Sequence, residues 1–266
     1  MSDLKLQQKL IEWGLLDPPA DGKFGKQSEA ALKYACDLTG LKRDDPKLLN
    51  KDELIPLKLD NSYASRIIKY MLSKNYFVAR GENMFNIVYI EGINDDGTTN
   101  PDTPNIFNDL RTVIEIPAKT GVPRFMGMWN ATTEPGNKYT QRPLNAGGAF
   151  RIKFGQYKAW TIGTHKDHEA LVQAGELEGH RDFNKDHSRV GDKIVKGSGF
   201  GVNQHWGYDL ATVEGASAGC LVGRTKKGHR EFMTLIKRDR RYVVNPNYMY
   251  MTVVISGDEL AKLFPI

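Results

Sequence analysis

What most restricts the fold of this chain is a change of hydrophobic period partway along it. Up to residue 72 the apolar residues recur at helical spacing. Leu6, Leu10 and Trp13 stand at i, i+4, i+7, and Ala31, Tyr34, Ala35 and Leu38 at i, i+3, i+4, i+7. Ile67, Ile68, Met71 and Leu72 share one side of a third helix. Beyond that, short apolar or β-branched runs at residues 85–90, 112–116, 124–129, 149–154, 159–162 and 249–255 are separated by Gly, Asn, Asp and Pro clusters, which is the pattern of strands and turns. One helix, over about residues 228–240 with Phe232, Leu235 and Ile236 on one side, interrupts them. The expected class is therefore α+β: a small N-terminal helical bundle and a larger, mostly-β domain. The turn formers Asp17-Pro18-Pro19-Ala20-Asp21-Gly22 separate the first two helices. The charged stretch 42–60, broken by Pro46 and Pro56, sets the boundary, giving domains 1–60 and 61–266.

Composition narrows the function classes. Apolar residues make up 40% of 266, enough for a packed core. No apolar run is long enough to cross a bilayer. The start, Met1-Ser2-Asp3-Leu4, leads into a polar periodic segment rather than a secretory leader. Two cysteines, Cys36 and Cys220, do not make a disulfide framework, and Cys36 reads as a small buried helix residue. The net charge of +5 suits an anionic partner, but no nucleic-acid motif accompanies it. The excess is local. Residues 224–241 hold eight Lys/Arg against Glu231 and Asp239, or +6. This run is either a solvated helix with cations near its C-terminus or a positive rim for carboxylates.

Near the N-terminus the residues Leu6-Gln7, Leu10, Gly14, Leu16, then Asp21-Gly22-Lys23-Phe24-Gly25, then Ser28 and Ala31-Leu32-Lys33-Tyr34 form an ordered pattern. Asp21-Gly22 suits a tight turn, Phe24 would anchor it in the core, Gly25 would permit a positive φ, and Ser28 would cap the next helix. The pattern resembles the small three-helix peptidoglycan-binding domain of bacterial cell-wall enzymes, with Ala35 in place of that family's Gln. The resemblance implies a peptidoglycan partner.

A second constellation is Asn203-Gln204-His205-Trp206-Gly207-Tyr208-Asp209 followed by Ser217-Ala218-Gly219-Cys220, with His205 15 residues before Cys220. A thiol nucleophile needs a base, and an imidazole supplies one. Ser217 would orient the turn or the base, Gly219 would bring the backbone close to a substrate carbonyl, and Asp209 or a backbone carbonyl would fix the tautomer of the base. A buried cysteine and a surface histidine would write the same letters. The arrangement is similar to the L,D-transpeptidase catalytic domain, whose signature is a His, a spacer of this length, then Ser/Thr-x-Gly-Cys. That resemblance implies Cys220 as nucleophile and His205 as base, with no metal and no organic cofactor. Ala218 and Val222 depart from it. Where the family has Arg or Asn for the substrate carboxylate stands Val222, and Arg224 is the candidate substitute. Asp209 and Trp206 are further candidates for substrate contact.

Weaker signals complete the list of candidates. Asp182, Asn184 and Asp186 open like a calcium loop, but His187 stands where Gly is expected and Lys193 where Glu is expected. His165, His168, His180 and His187 could suggest zinc, without a His-Glu-x-x-His helix. His165 also fits a groove wall. Trp129, Trp160 and Trp206 read as core or groove wall. Together these features imply a cysteine enzyme performing acyl transfer on the stem peptides of peptidoglycan, as an L,D-transpeptidase or as a carboxy- or endopeptidase. The absent leader implies synthesis in the cytoplasm and a lytic action in the wall after delivery by another route. The alternatives are a wall-binding protein with a degenerate catalytic domain and a metal-dependent peptidase.

Overall fold

The computed structural model describes residues 2–265. In chain order the elements are α1 (Asp3–Glu12), α2 (Lys26–Thr39), α3 (Tyr63–Ser73), β1 (Gly81–Glu91), β2 (Asp109–Ile116), β3 (Arg124–Thr132), α4 (Asn137–Gln141), β4 (Ala149–Ile152), β5 (Gly155–His165), β6 (His168–Gln173), β7 (Leu177–Asp182), β8 (Lys193–Gly197), β9 (Gln204–Trp206), β10 (Leu221–Gly223), α5 (Lys226–Ile236), α6 (Arg240–Val244), β11 (Tyr250–Ser256) and α7 (Gly257–Leu263). The strands form a closed eight-stranded barrel in the order β1-β11-β5-β6-β9-β10-β3-β2 and a three-stranded sheet β4-β7-β8. The fold is mixed, with a mostly-β region, and every run expected as a strand overlaps one, although 149–154 runs two residues past the end of β4.

Two compact units emerge. The first comprises Met1–Asn86, Ile114–Met126 and Lys237–Tyr248. Its core gathers the helical stripes: Leu6, Leu10, Trp13, Leu32, Ala35, Ile67, Ile68 and Met71 are all buried. Leu38 and Leu72, expected on those stripes, are instead exposed. Gln7 organises the turn after α1. Its amide donates to Asp21 Oδ1 at 3.0 Å, Lys23 O at 3.0 Å and Ser28 Oγ at 3.1 Å, and its oxygen accepts the Gly22 N–H at 2.7 Å. Several expected roles at this turn shift accordingly. Gly22, not Gly25, carries the positive φ, at +74° against −90°. Gly25 is the residue before α2, and Ser28 serves Gln7 instead of capping the helix. Phe24 is half-buried beneath the Arg43 guanidinium, 4.6 Å away, rather than in the core.

A boundary drawn at residue 60 falls inside this first unit. Asp17, 6% exposed, accepts Arg241 Nη1–H at 2.7 Å and the Tyr248 hydroxyl at 2.8 Å. Arg80 N–H donates to Gly14 O at 3.0 Å, at a glycine where a Cβ would lie 2.6 Å from Val78 O.

The second unit comprises Ile87–Val113, Gly127–Ile236 and Met249–Ile266. Val88, Ile90, Trp160, Leu171, Leu221, Val222, Val253 and Val254 are buried in it. Strand β1 pairs in parallel with β11 (Ile87 opposite Thr252), and β9 in parallel with β10 (His205 opposite Val222). The helix expected over 228–240 spans Lys226–Ile236, ahead of the second half of the basic run. The +6 run is therefore not one feature. Lys226 and Lys227 sit in the first turn of α5, the end that disfavours cations, while residues 237–241 belong to the first unit.

Candidate active site

Strands β9 and β10 bring the candidate base and thiol into one place. His205 lies on β9, and Cys220 immediately precedes β10. Both line a cavity of about 350 Å³, together with His165, Lys166, Phe150, Arg181, Phe200 and Gly219 among others. His205 is 1% exposed, and its Nδ1 lies 2.8 Å from Trp206 O. With Nδ1–H donating to that carbonyl, Nε2 is left as the acceptor. A backbone carbonyl thus fixes the tautomer. Burial, together with the charges of His165 and His168, pushes the imidazole down to about 3.

Cys220 Sγ accepts the Asn203 N–H at 3.4 Å and donates to Gly201 O at 3.5 Å. Burial raises the thiol above its ordinary value, opposed by the Asn203 N–H and by Lys166. The Ser217 hydroxyl accepts the Gly219 N–H at 3.1 Å and donates to Cys220 O at 2.9 Å. It therefore orients the turn, not the base. Gly219 has φ +121°, and a Cβ there would lie 2.4 Å from Phe150 O, so the close approach that demands glycine is to β4. The Gly219 N–H is taken by Ser217, while the Cys220 N–H is a backbone donor beside the thiol with no protein partner among the described residues.

Asp209, Trp206, Arg224 and Val222 lie outside the cavity lining. Asp209 accepts the Lys226 N–H at 2.9 Å and so caps the start of α5. Trp206, 8% exposed, stacks on His168 with ring centroids 3.8 Å apart. Arg224 is exposed and follows β10, its N–H bonded to Asn130 O at 2.9 Å. Val222 is wholly buried against Phe107, Val213 and Ala216. His165, read as a groove wall, does line the cavity. It stacks on His205 at 4.4 Å, and its Nδ1 lies 2.9 Å from Asn203 Nδ2. Asp182 accepts the N–H groups of Asp186 and His187, each at 3.2 Å, and pairs with Arg151 at 3.5 Å. Residues 182–188 thus close on themselves as a polar turn.

Sequence reasoning missed two groups of residues. One is the set Lys166, Arg181, Phe150 and Phe200 on the cavity wall. The other is a cluster of the buried acids Glu91, Asp109 and Glu134 with the half-buried Asp102. Within the described residues, the Glu91, Asp102 and Glu134 carboxylates form the one group of acids, histidines or cysteines placed to share a metal ion, with oxygens within 4.8 Å of one another. Two arginines already answer them. Arg189 donates to both oxygens of Glu91, at 2.5 and 2.6 Å, and Arg151 donates to Glu134. Burial beside like charges pushes Asp102 up to about 6 and Glu134 up to about 7. Their wide separation in sequence leaves no local pattern to find. No family model, curated protein or solved structure matches the chain.

Proposed function

We propose that the protein is a cysteine enzyme that performs acyl transfer on stem-peptide amides of peptidoglycan. The observation that carries this reading is the placement of Cys220 and a tautomer-fixed His205 on the wall of one cavity. In the reaction, Sγ attacks the amide carbonyl while its proton passes to His205 Nε2, and the Cys220 N–H bonds the developing oxyanion. The C–N bond then breaks, the imidazolium returns the proton to the departing amine, and a thioester remains. Attack by an amine gives transpeptidation, and attack by water gives hydrolysis. The N-terminal motif around Gln7 and Asp21-Gly22 supports tethering to the wall, which raises the local substrate concentration. Mass spectrometry of muropeptides before and after incubation tests the proposal. New or lost peptide bonds with the wild type, and none with Cys220→Ala, are expected. Bonds cut equally well by Cys220→Ala would defeat it.

The raised thiol and the buried Val222 favour a second reading, a wall-binding protein whose catalytic domain has degenerated. Muropeptide profiles unchanged by wild-type protein that still co-sediments with cell walls would select it.

A further inference from the structure

A second cavity, of about 390 Å³, lies wholly within the first unit and shares no lining residue with the Cys220 cavity. Its wall divides by chemistry. Leu15, Leu16, Ala31 and Met84 are buried and give it an apolar floor. Val243 and Val244 of α6 extend that floor toward solvent, Val243 being 65% exposed. Arg238 and Arg240 line the same cavity, and both belong to the part of the basic run that lies beyond α5. Gln7, Asp21 and Phe24, from the N-terminal motif, are not part of the lining.

The acids near these two arginines are already answered. Asp37, the one acid in the lining, pairs with Lys33 at 2.7 Å. Asp239, between the two arginines, is turned to Arg241 at 2.6 Å and to the Phe85 N–H at 3.0 Å. Glu82 accepts the Tyr34 hydroxyl and the Ala118 N–H. Arg240 is half-buried, with its guanidinium 3.9 Å from the Tyr34 ring centre. Among the described residues it has no carboxylate partner. Arg238 reaches only Asn83 Oδ1 among them, with Nη2–H at 3.4 Å. A guanidinium held by its face on a ring keeps its N–H edge for an anion. Two such groups beside an apolar floor match a ligand with a hydrocarbon body and one negative end.

We propose that this cavity binds a small anionic amphiphile, its hydrocarbon body on Leu15, Leu16, Met84 and Val243 and its carboxylate or phosphate on Arg240 and Arg238. Covering the exposed part of Val243 adds apolar burial to the charge pairing. The site uses no residue of the acyl-transfer reading and stands or falls without it.

Calorimetric titration of the full chain with octanoate, octyl phosphate and 1-octanol, all kept monomeric, tests the proposal. The three share one alkyl body and differ in charge. A charge-assisted hydrogen bond corresponds to roughly tenfold or more in binding, so at least one anion is expected to bind about tenfold or more tightly than the alcohol. The tighter anion identifies the headgroup. Arg240→Gln should remove most of that advantage, Arg238→Gln part of it, and high salt should shrink it. Arg240→Lys should keep part. None of these changes should weaken 1-octanol. Ala30→Trp, at a half-buried lining position, fills the cavity and should abolish binding of all three. Should Arg240→Gln not fold, Arg238→Gln and the salt dependence carry the test. Flotation with phosphatidylglycerol vesicles distinguishes the sources. A chain that floats, and no longer does so as Arg240→Gln or Ala30→Trp, takes its ligand from a bilayer, and one that stays behind takes it as a free monomer. Equal binding of the three probes, an anion advantage kept in both Gln variants, binding untouched by Ala30→Trp, or no binding of either anion overturns the site.

Discussion

The resting state of Cys220 and His205 follows from their burial. The thiol lies above its ordinary value and the imidazole is pushed down to about 3, so a protonated thiol beside a neutral base is the stable pair, not a thiolate–imidazolium pair. The proton then leaves sulfur only as the C–S bond forms. Iodoacetamide alkylation of Cys220 should accordingly keep rising with pH beyond the ordinary thiol value, with no plateau near neutrality. A plateau from pH 6 upward would show an ion pair instead. For the proposed acyl transfer, the acid limb of kcat/KM would carry the complementary sign. A base works in its neutral form, and His205 stays neutral down to about pH 3, so activity should not fall as pH drops from 6.5 towards 4. A loss centred near 6.5 would mean that His205 is not the base. The hydroxyl of Ser217 belongs to a different kind of role: it ties the turn between Gly219 and Cys220, and no hydrogen bond links it to His205 among the described residues.

At the scale of elements, two small contacts hold disproportionate weight. Gly219→Ala would force a side chain into a backbone of φ +121° and to 2.4 Å from Phe150 O. A loss of about 2–4 kcal/mol in urea unfolding is expected. Gln7→Ala removes the amide that joins α1, the Asp21-Gly22 turn and the start of α2. This should cost about 1–3 kcal/mol in the same measurement. Runs of apolar and β-branched residues made β1 and β11 legible in the sequence. Strand β7 (Leu-Glu-Gly-His-Arg-Asp) and β9 (Gln-His-Trp) were not, because polar residues predominate and their strand character comes from pairing partners. His205 and Cys220 were legible through the family resemblance, not the spacing alone; His205 lies on β9 and Cys220 just before its parallel neighbour β10. Arg181 and Lys166 reach the same cavity from β7 and from the turn after β5, and no spacing rule connects them to Cys220. Gly219 was singled out for a substrate carbonyl, whereas the close approach in the structure is to Phe150 on β4, which no local pattern announces.

For the whole molecule, pH acts through two opposed sets of buried groups. His205 and His229, pushed down by burial to about 3 and about 2, bind fewer protons folded than unfolded, so they make stability rise with pH up to 6.5. Asp102 and Glu134, pushed up to about 6 and about 7, bind more protons folded, so they make stability fall as pH rises through that range. Glu134→Gln keeps the neutral shape and removes part of the second set. The urea midpoint should then climb more steeply between pH 4.5 and 7 than in the wild type, and an unchanged slope would refute the assignment. Arg241 also gives the chain an order of assembly during synthesis. Asp17 leaves the ribosome early, but the guanidinium that fills its pocket lies 224 residues later. At ordinary translation speeds that carboxylate waits on the order of 10 to 45 s for its counter-ion. The nascent N-terminal helices therefore spend most of translation without the Arg241 and Tyr248 partners of Asp17.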